Sequence, residues 1–149
     1  MIFRKATIND LPAIVRMLAD DELGATREQY RDPLPQVYID AFERMERQEG
    51  NQIIVAVEGE DVMGCLQLTY IPGVVRLGML RAQIEGVRVD RNHRSKGVGE
   101  ALFKYAIQLA EDAGCGLVQL TTDKARTDAH RFYERLGFVI SHEGMKLYL

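Results

Sequence analysis

Val87-Arg88-Val89-Asp90-Arg91-Asn92-His93-Arg94-Ser95-Lys96-Gly97-Val98-Gly99 changes its periodicity partway along. Up to Asp90 it is the end of an extended stretch, Ala82-Gln83-Ile84-Glu85-Gly86-Val87-Arg88-Val89. From Gly97 the apolar residues return at helical spacing, as Val98, Ala101, Leu102, Tyr105, Ala106, Leu109 and Ala113, and Gly114 supplies the stop. The segment therefore predicts a strand, a tight turn and a long amphipathic helix. The first N–H groups of a helix have no partner within it, and with the helix dipole they form a site for an anion such as phosphate. Gly97 and Gly99 let a ligand approach the backbone where a Cβ would collide. Arg88, Arg91, Arg94 and Lys96 add four positive charges to a chain whose formal net charge is -3. That combination asks for a polyphosphate. The G-x-x-x-x-G-K-[ST] order of a P-loop is absent, and so is the three-glycine fingerprint of a dinucleotide fold.

Outward from this segment, residues 2–6 predict a short edge strand. Asn9 or Asp10 can cap a helix bearing Leu11, Ile14, Val15 and Leu18, with Pro12 in its first turn. Asp20-Asp21-Glu22-Leu23-Gly24 reads as its stop, a solvated acidic helix end with attraction of a cationic amine as the alternative, and the stretch to Pro35 reads as loop. Residues 36–48 are helical again. Residues 52–57 and 62–70 predict a hairpin about the polar turn Glu58-Gly59-Glu60-Asp61. After the helix that ends at Gly114, residues 116–122 predict a buried strand. Ala129, Phe132, Tyr133 and Leu136 form a shorter helical stripe closed by Gly137, and residues 138–140 and 145–149 predict a last pair of strands. The order β-α-α-β-β-β-α-β-α-β-β, without linker or repeat, predicts one α/β domain over residues 1–149.

Composition narrows the function classes. With 149 residues, 46% hydrophobic and 28% charged, the chain has the makeup of one globular domain. Its acidic balance offers no whole-molecule attraction for nucleic acid or anionic lipid, so neither is expected as a partner. Charge at Arg4 and Lys5, and the lack of a long apolar run, predict no leader and no membrane span. Two isolated cysteines, Cys65 and Cys115, suit a reducing cytoplasm. With three histidines at no ligand spacing, no metal site is expected.

A second segment, Asp128-Ala129-His130-Arg131-Phe132-Tyr133-Glu134-Arg135-Leu136-Gly137-Phe138, follows the next strand. Arg94-Ser95-Lys96-Gly97-Val98-Gly99 matches R-x-x-G-x-G, and with Phe132-Tyr133-Glu134-Arg135-Leu136-Gly137-Phe138 it resembles the GCN5-related N-acetyltransferase (GNAT) superfamily. The resemblance implies an α/β (α+β) fold. Its mixed, mostly antiparallel sheet of six to seven strands is flanked by four helices and splayed at the strand before the pyrophosphate turn. It implies acetyl-CoA as co-substrate. Backbone groups of Val87 and Val89 would pair with pantetheine, Arg88 would flank it, and the N–H groups of Arg94, Ser95, Lys96, Gly97, Val98 and Gly99 would hold the pyrophosphate. A β-bulge near Val87 would leave N–H groups for an oxyanion.

Tyr133 matches the family's general acid, its unperturbed phenol pKa of about 10 lying close to that of an alkyl thiol; packing on its own helical stripe is the alternative. Glu85, on one face with Val87 by strand alternation, is the candidate base, directly or through water, or a holder of the substrate ammonium, or a bland surface carboxylate. Gln83 shares that face. Thr122 or Asp123 could reach the pantetheine arm, while Arg126 stands where many members have asparagine. His93 and His130 would flank the coenzyme, and Asp20 to Tyr38 and Val139 to Lys146 would face the acceptor. The acceptor would be a small-molecule amine or a peptide N-terminus, and a homodimer is compatible with the family. A non-catalytic coenzyme A-binding regulatory module and a nucleotide-binding protein are the rival readings.

Overall fold

The computed structural model describes residues 1–149, which divide into two compact units, Met1–Gln119 and Leu120–Leu149. The first unit is built on five strands in the order β1-β2-β3-β4-β5: β1 (Ile2–Lys5), β2 (Asn51–Glu58), β3 (Asp61–Ile71), β4 (Arg81–Val89) and β5 (Leu117–Gln119). The first four are antiparallel neighbours, and β5 joins β4 in parallel. Its helices are α1 (Leu11–Ala19), α2 (Glu22–Arg27), α3 (Gln36–Glu46) and α5 (Val98–Asp112), together with α4 (Val75–Gly78), a single turn in the β3–β4 connection.

Successive strand residues point to opposite faces, and both faces here are apolar. Val55, Val57 and Cys65 join Leu11, Ile14, Val15 and Met17 of α1 and Phe42 of α3 in one buried cluster. Their strand neighbours Ile54, Leu66, Leu68 and Ile84 are buried as well, and α5 packs on β2, β3 and β4 through buried Leu102, Phe103, Ala106 and Ala110. That spacing is one helical stripe. It fixes the axis of α5 and hence the position of its N-terminus.

The corner from β1 into α1 rests on one carboxylate. Asp10 is only 7% exposed and accepts hydrogen bonds from both terminal nitrogens of Arg4, at 2.7 and 2.9 Å, and from the Thr7 N–H at 2.7 Å. The Arg4 guanidinium, foremost, holds the Asp10 carboxyl below the usual carboxylate range.

The mixed, mostly antiparallel α/β architecture is the expected one, with three differences. Residues 22–27 are helical rather than loop, because Asp21 caps them by accepting from the Gly24 N–H and Glu22 sits favourably in the first turn. The acidic run read as a stop is therefore also a start. The strand expected over 116–122 is only Leu117–Gln119. Five strands form rather than six or seven, since residues 138–140 and 145–149 make no ladder. Their apolar members Val139, Ile140, Met145, Leu147 and Tyr148 are exposed, so the alternation that suggested strands has no buried face to serve. The second unit contains α6 (Thr127–Arg135).

Replacing Asp10 by Ala leaves the Thr7 N–H and the Arg4 guanidinium without their acceptor. We expect a loss of about 1–2 kcal/mol in urea unfolding at pH 7. Because folding lowers this carboxyl's pKa, its contribution is present above the unfolded value of about 3.9 and fades as pH falls through the folded value. The difference between wild type and Asp10→Ala should therefore shrink in acid.

Candidate functional site

The site begins with a fault in the β3–β4 ladder. Gly64 pairs with Val89 and Cys65 with Arg88, but Gln67 pairs with Glu85. One residue of β3, Leu66, thus stands against two of β4, Gly86 and Val87. This is a bulge, with Gly86 at φ +58. On its other edge β4 pairs with β5 only through Arg81, Ala82 and Gln83. From Ile84 onward that edge has no strand partner. The bulge expected near Val87 is present, and an open strand edge runs from it toward the turn.

The turn is held by its own groups. The Asp90 N–H donates to Met63 O at 2.9 Å, and its carboxylate accepts from the Asn92 N–H at 2.9 Å, which keeps that carboxyl below its usual range. Arg91–His93 form a single 3-10 turn, and Ser95 and Gly97 take positive φ of +60 and +78. Gly97 is the N-cap of α5, and no side chain caps that helix. The N–H groups of Val98, Gly99 and Glu100 are the ones that helix geometry leaves without an intrahelical acceptor. A Cβ built on Gly97 would meet nothing within 4 Å, so there is open space where an anion would lie. Beneath it, a Cβ on Gly64 would come within 3.0 Å of Arg88 O and 3.3 Å of Val98 Cγ1. The bare glycine lets the start of α5 settle against the end of β4.

The four basic residues of the turn are not free charges. Arg91 donates through Nε to Asp20 at 3.1 Å and makes a second close contact through Nη2; Arg94 Nη2 lies 3.4 Å from the same carboxylate. Arg88 Nε is 3.6 Å from Asp21, and Lys96 Nζ donates to Asn92 O at 2.9 Å. Arg91, first, holds the Asp20 carboxyl below the ordinary range. Asp20 and Asp21 thus answer the turn rather than forming the solvated helix end that the sequence suggested. A small depression of about 340 Å³ lies here, lined by Arg16, Met17, Asp20, Asp90, Arg91 and Asn92. A larger one of about 650 Å³ lies at Lys5, Thr7, Phe42, Glu43 and Glu46, and none of its lining residues belongs to the turn or to α5.

Gln83 and Glu85 share the face opposite buried Ala82 and Ile84. The alternation does not carry on to Val87, because the extra bulge residue intervenes. Glu85 is exposed, whereas Gln83 accepts from Gln119 Nε2 at 3.0 Å and is partly occupied. His93 stands 3.5 Å from the Asp90 carboxylate.

In the second unit, Tyr133 sits in the last turn of α6. The Phe138 N–H donates to Tyr133 O at 3.1 Å and the Gly137 N–H to Glu134 O at 3.0 Å, a paired ending in which Gly137 takes the left-handed position. The ring of Tyr133 meets Phe132 and Phe138 edge-on, with centroids 5.6 and 6.1 Å away. Leu136-Gly137-Phe138 is thus the device that fixes the Tyr133 ring. Thr122 lies in the segment before α6 rather than on β5, and its buried hydroxyl has no hydrogen-bond partner, as is also true of His130 Nε2.

The sequence model of the Acetyltransferase (GNAT) family matches residues 15–138. The chain belongs to that family, a class of acyltransferase enzymes. A solved structure from Bacillus halodurans C-125, described as a transcriptional regulator, is 49% identical, covers 99% of both chains and superposes with a TM-score of 0.96. An uncharacterized N-acetyltransferase of Bacillus subtilis (strain 168) is 50% identical over 48 residues, 32% of this chain and 34% of that protein. N-alpha-acetyltransferase 30 of Xenopus laevis is 32% identical over 100 residues, 64% of this chain and 34% of that protein. The matched segments thus span about a third of the length of these two curated relatives. No helix is long and apolar enough to cross a membrane.

The bulge predicts a difference between the two thiols. Cys65 lies under it, with Sγ 3.9 Å from Gly86 O, and burial pushes its thiol up to about 12. Cys115 is only half-buried. A disulfide reagent at pH 8 should modify Cys115 in the folded protein and reach Cys65 only on unfolding. Equal rates at both would contradict the packing beneath the bulge.

Proposed function

We propose that this chain is an N-acetyltransferase that moves the acetyl group of acetyl-CoA to a primary amine by direct attack in a ternary complex. The observation that carries the reading is the uncapped N-terminus of α5, held beside a bulged and open edge of β4. Residues 1–149 then act as one catalytic domain, a reading supported by a family match that runs across both units.

In this reading the N–H groups from Arg94 to Gly99 bind the pyrophosphate, and Arg88, held by Asp21 and Val87 O, flanks the pantetheine arm. Val87 and Val89 offer backbone groups to the pantetheine amides, beside the Arg88 and Arg94 side chains that donate to their carbonyl oxygens at 2.8 and 3.2 Å. Thr122 is the further candidate for the same arm, from the segment before α6. The amine nitrogen attacks the thioester carbonyl carbon and the C–S bond breaks, leaving an amide and a thiolate. The nitrogen gives up two protons and the sulfur takes one. The first leaves the ammonium before attack, accepted by Glu85 directly or through water. Attack makes the nitrogen cationic, and it loses the second as the tetrahedral intermediate collapses. The thiolate takes its proton from the Tyr133 hydroxyl, and the second nitrogen proton, carried by water, restores that hydroxyl. An N–H freed by the bulge at Gly86–Val87 stabilises the oxyanion. The acceptor favoured here is a small-molecule amine; the N-alpha-acetyltransferase relative supports a protein N-terminus as the other candidate. The two free cysteines fit a reducing, cytoplasmic setting.

A second reading is a coenzyme A-binding regulatory module without turnover, favoured by the description of the Bacillus halodurans relative as a transcriptional regulator. One substitution tests the coenzyme site that both readings share, and a second separates them. Gly97→Glu puts bulk and negative charge into the open space at the turn, so acetyl-CoA binding should be lost by calorimetry while circular dichroism is unchanged. Tyr133→Phe should lower kcat by about 100-fold or more, the range of general acid catalysis, with little change in the KM for acetyl-CoA. If Tyr133→Phe matches wild type against a broad amine panel, the acid role is wrong. Coenzyme binding with no turnover by either protein would favour the regulatory module.

A further inference from the structure

Asp20 closes α1, and its carboxylate accepts from two arginines of the turn, Arg91 at 3.1 Å through Nε and Arg94 at 3.4 Å through Nη2. Two neighbouring pairs complete the cluster, Asp21 with Arg88 at 3.6 Å and Asp90 with Arg16 at 3.2 Å. Four guanidiniums against three carboxylates leave one positive charge. Most of the charge that would attract a polyphosphate is therefore already answered from within the chain.

The two contacts to Asp20 are the exchangeable ones. The side chains of Arg91 and Arg94 are 67% and 51% exposed, whereas that of Arg88 is 17% exposed. Exposed ion pairs contribute little, and long side chains at the surface can swing. Asp20 also stands at the C-terminal end of α1, where a negative charge meets the negative pole of the helix and the cations beside it offset that repulsion. A diphosphate seated on the α5 N–H groups brings more negative charge than one carboxylate and matches guanidinium geometry in the same bidentate way.

Resting on the acetyl-CoA reading above, we propose that Asp20 is an internal counter-anion, holding Arg91 and Arg94 in the ligand-free chain and yielding them to the arriving pyrophosphate. Asp20 is thus a positioning residue that sets how tightly the coenzyme is held. It limits that affinity, because each binding event must break its contacts, and it draws the arginines back when coenzyme A departs. The exchange also ties coenzyme arrival to the junction of α1 and α2, where Asp20 is followed directly by the Asp21 cap.

The test is calorimetry of coenzyme A and of pantetheine, which lacks the pyrophosphate, on wild type and Asp20→Asn. Loss of two exposed pairs should make coenzyme A bind roughly 2- to 5-fold more tightly to Asp20→Asn. Pantetheine affinity should stay the same. In an Arg91→Gln, Arg94→Gln background, Asp20→Asn should have no effect on either ligand. Unchanged or weaker coenzyme A binding by folded Asp20→Asn would overturn the proposal, and so would an equal shift for pantetheine, which marks a merely structural role. Should Asp20→Asn not fold, the arginine Nε–H signals of wild type decide. They should move with coenzyme A and not with pantetheine, and signals that stay still under bound coenzyme A overturn the exchange. Wild type that binds no coenzyme A would remove the acetyl-CoA reading and this inference together, whereas binding that Asp20→Asn does not alter removes only the inference.

Discussion

The N-terminus of α5 has to point at open space, and most of this chain is arranged so that it does. Helix N–H groups are strong donors that either find a cap or wait for a ligand. Gly97, at φ +78, turns the chain without offering a side chain to them. The position of that end is set from below, by Leu102, Phe103, Ala106 and Ala110 on the sheet and by the bare Cα of Gly64 against Arg88 O. A side chain at Gly64, or a shift in the α5 stripe, would move the donors without touching them.

The electrostatics around those donors work differently from a bare count of charges. Three arginines and a lysine in a short stretch suggest a strongly positive turn, yet Arg88, Arg91 and Arg94 each meet a carboxylate of Asp20 or Asp21, and Lys96 meets a backbone oxygen. Orientation of backbone donors, rather than accumulated charge, is then the main attraction for an anion. The arginines supply adjustable reinforcement. An acidic chain, at net charge -3, is thereby compatible with the polyphosphate site proposed for it.

Much of this was legible in the sequence wherever the signal is local. The change of period at Gly97 marked the turn and α5, and Leu136-Gly137-Phe138 marked the end of α6, because each rests on backbone geometry that only a few residue types allow. The bulge is expected only from the family resemblance, although Gly86 within an apolar strand is its local trace. What stayed hidden depends on distant partners. The Asp20 contacts join residues far apart in the chain, so Asp20-Asp21-Glu22 looked like a solvated helix end, and the capping role of Asp21 that begins α2 was overlooked. Strand alternation put Glu85 and Val87 on one face, and a single inserted residue undid it. The apolar alternation after Gly137 predicted strands, but a period-2 pattern becomes a strand only where an edge accepts its hydrogen bonds and a face is covered.

The central claim, that the start of α5 receives the coenzyme's pyrophosphate, is tested most directly by backbone amide NMR of the ¹⁵N-labelled protein during titration with coenzyme A. The account predicts that the amides of Ser95, Lys96, Gly97, Val98 and Gly99 move farthest, along one saturating curve. Amides that stay still there while those lining the Lys5, Phe42 and Glu46 depression shift would contradict it.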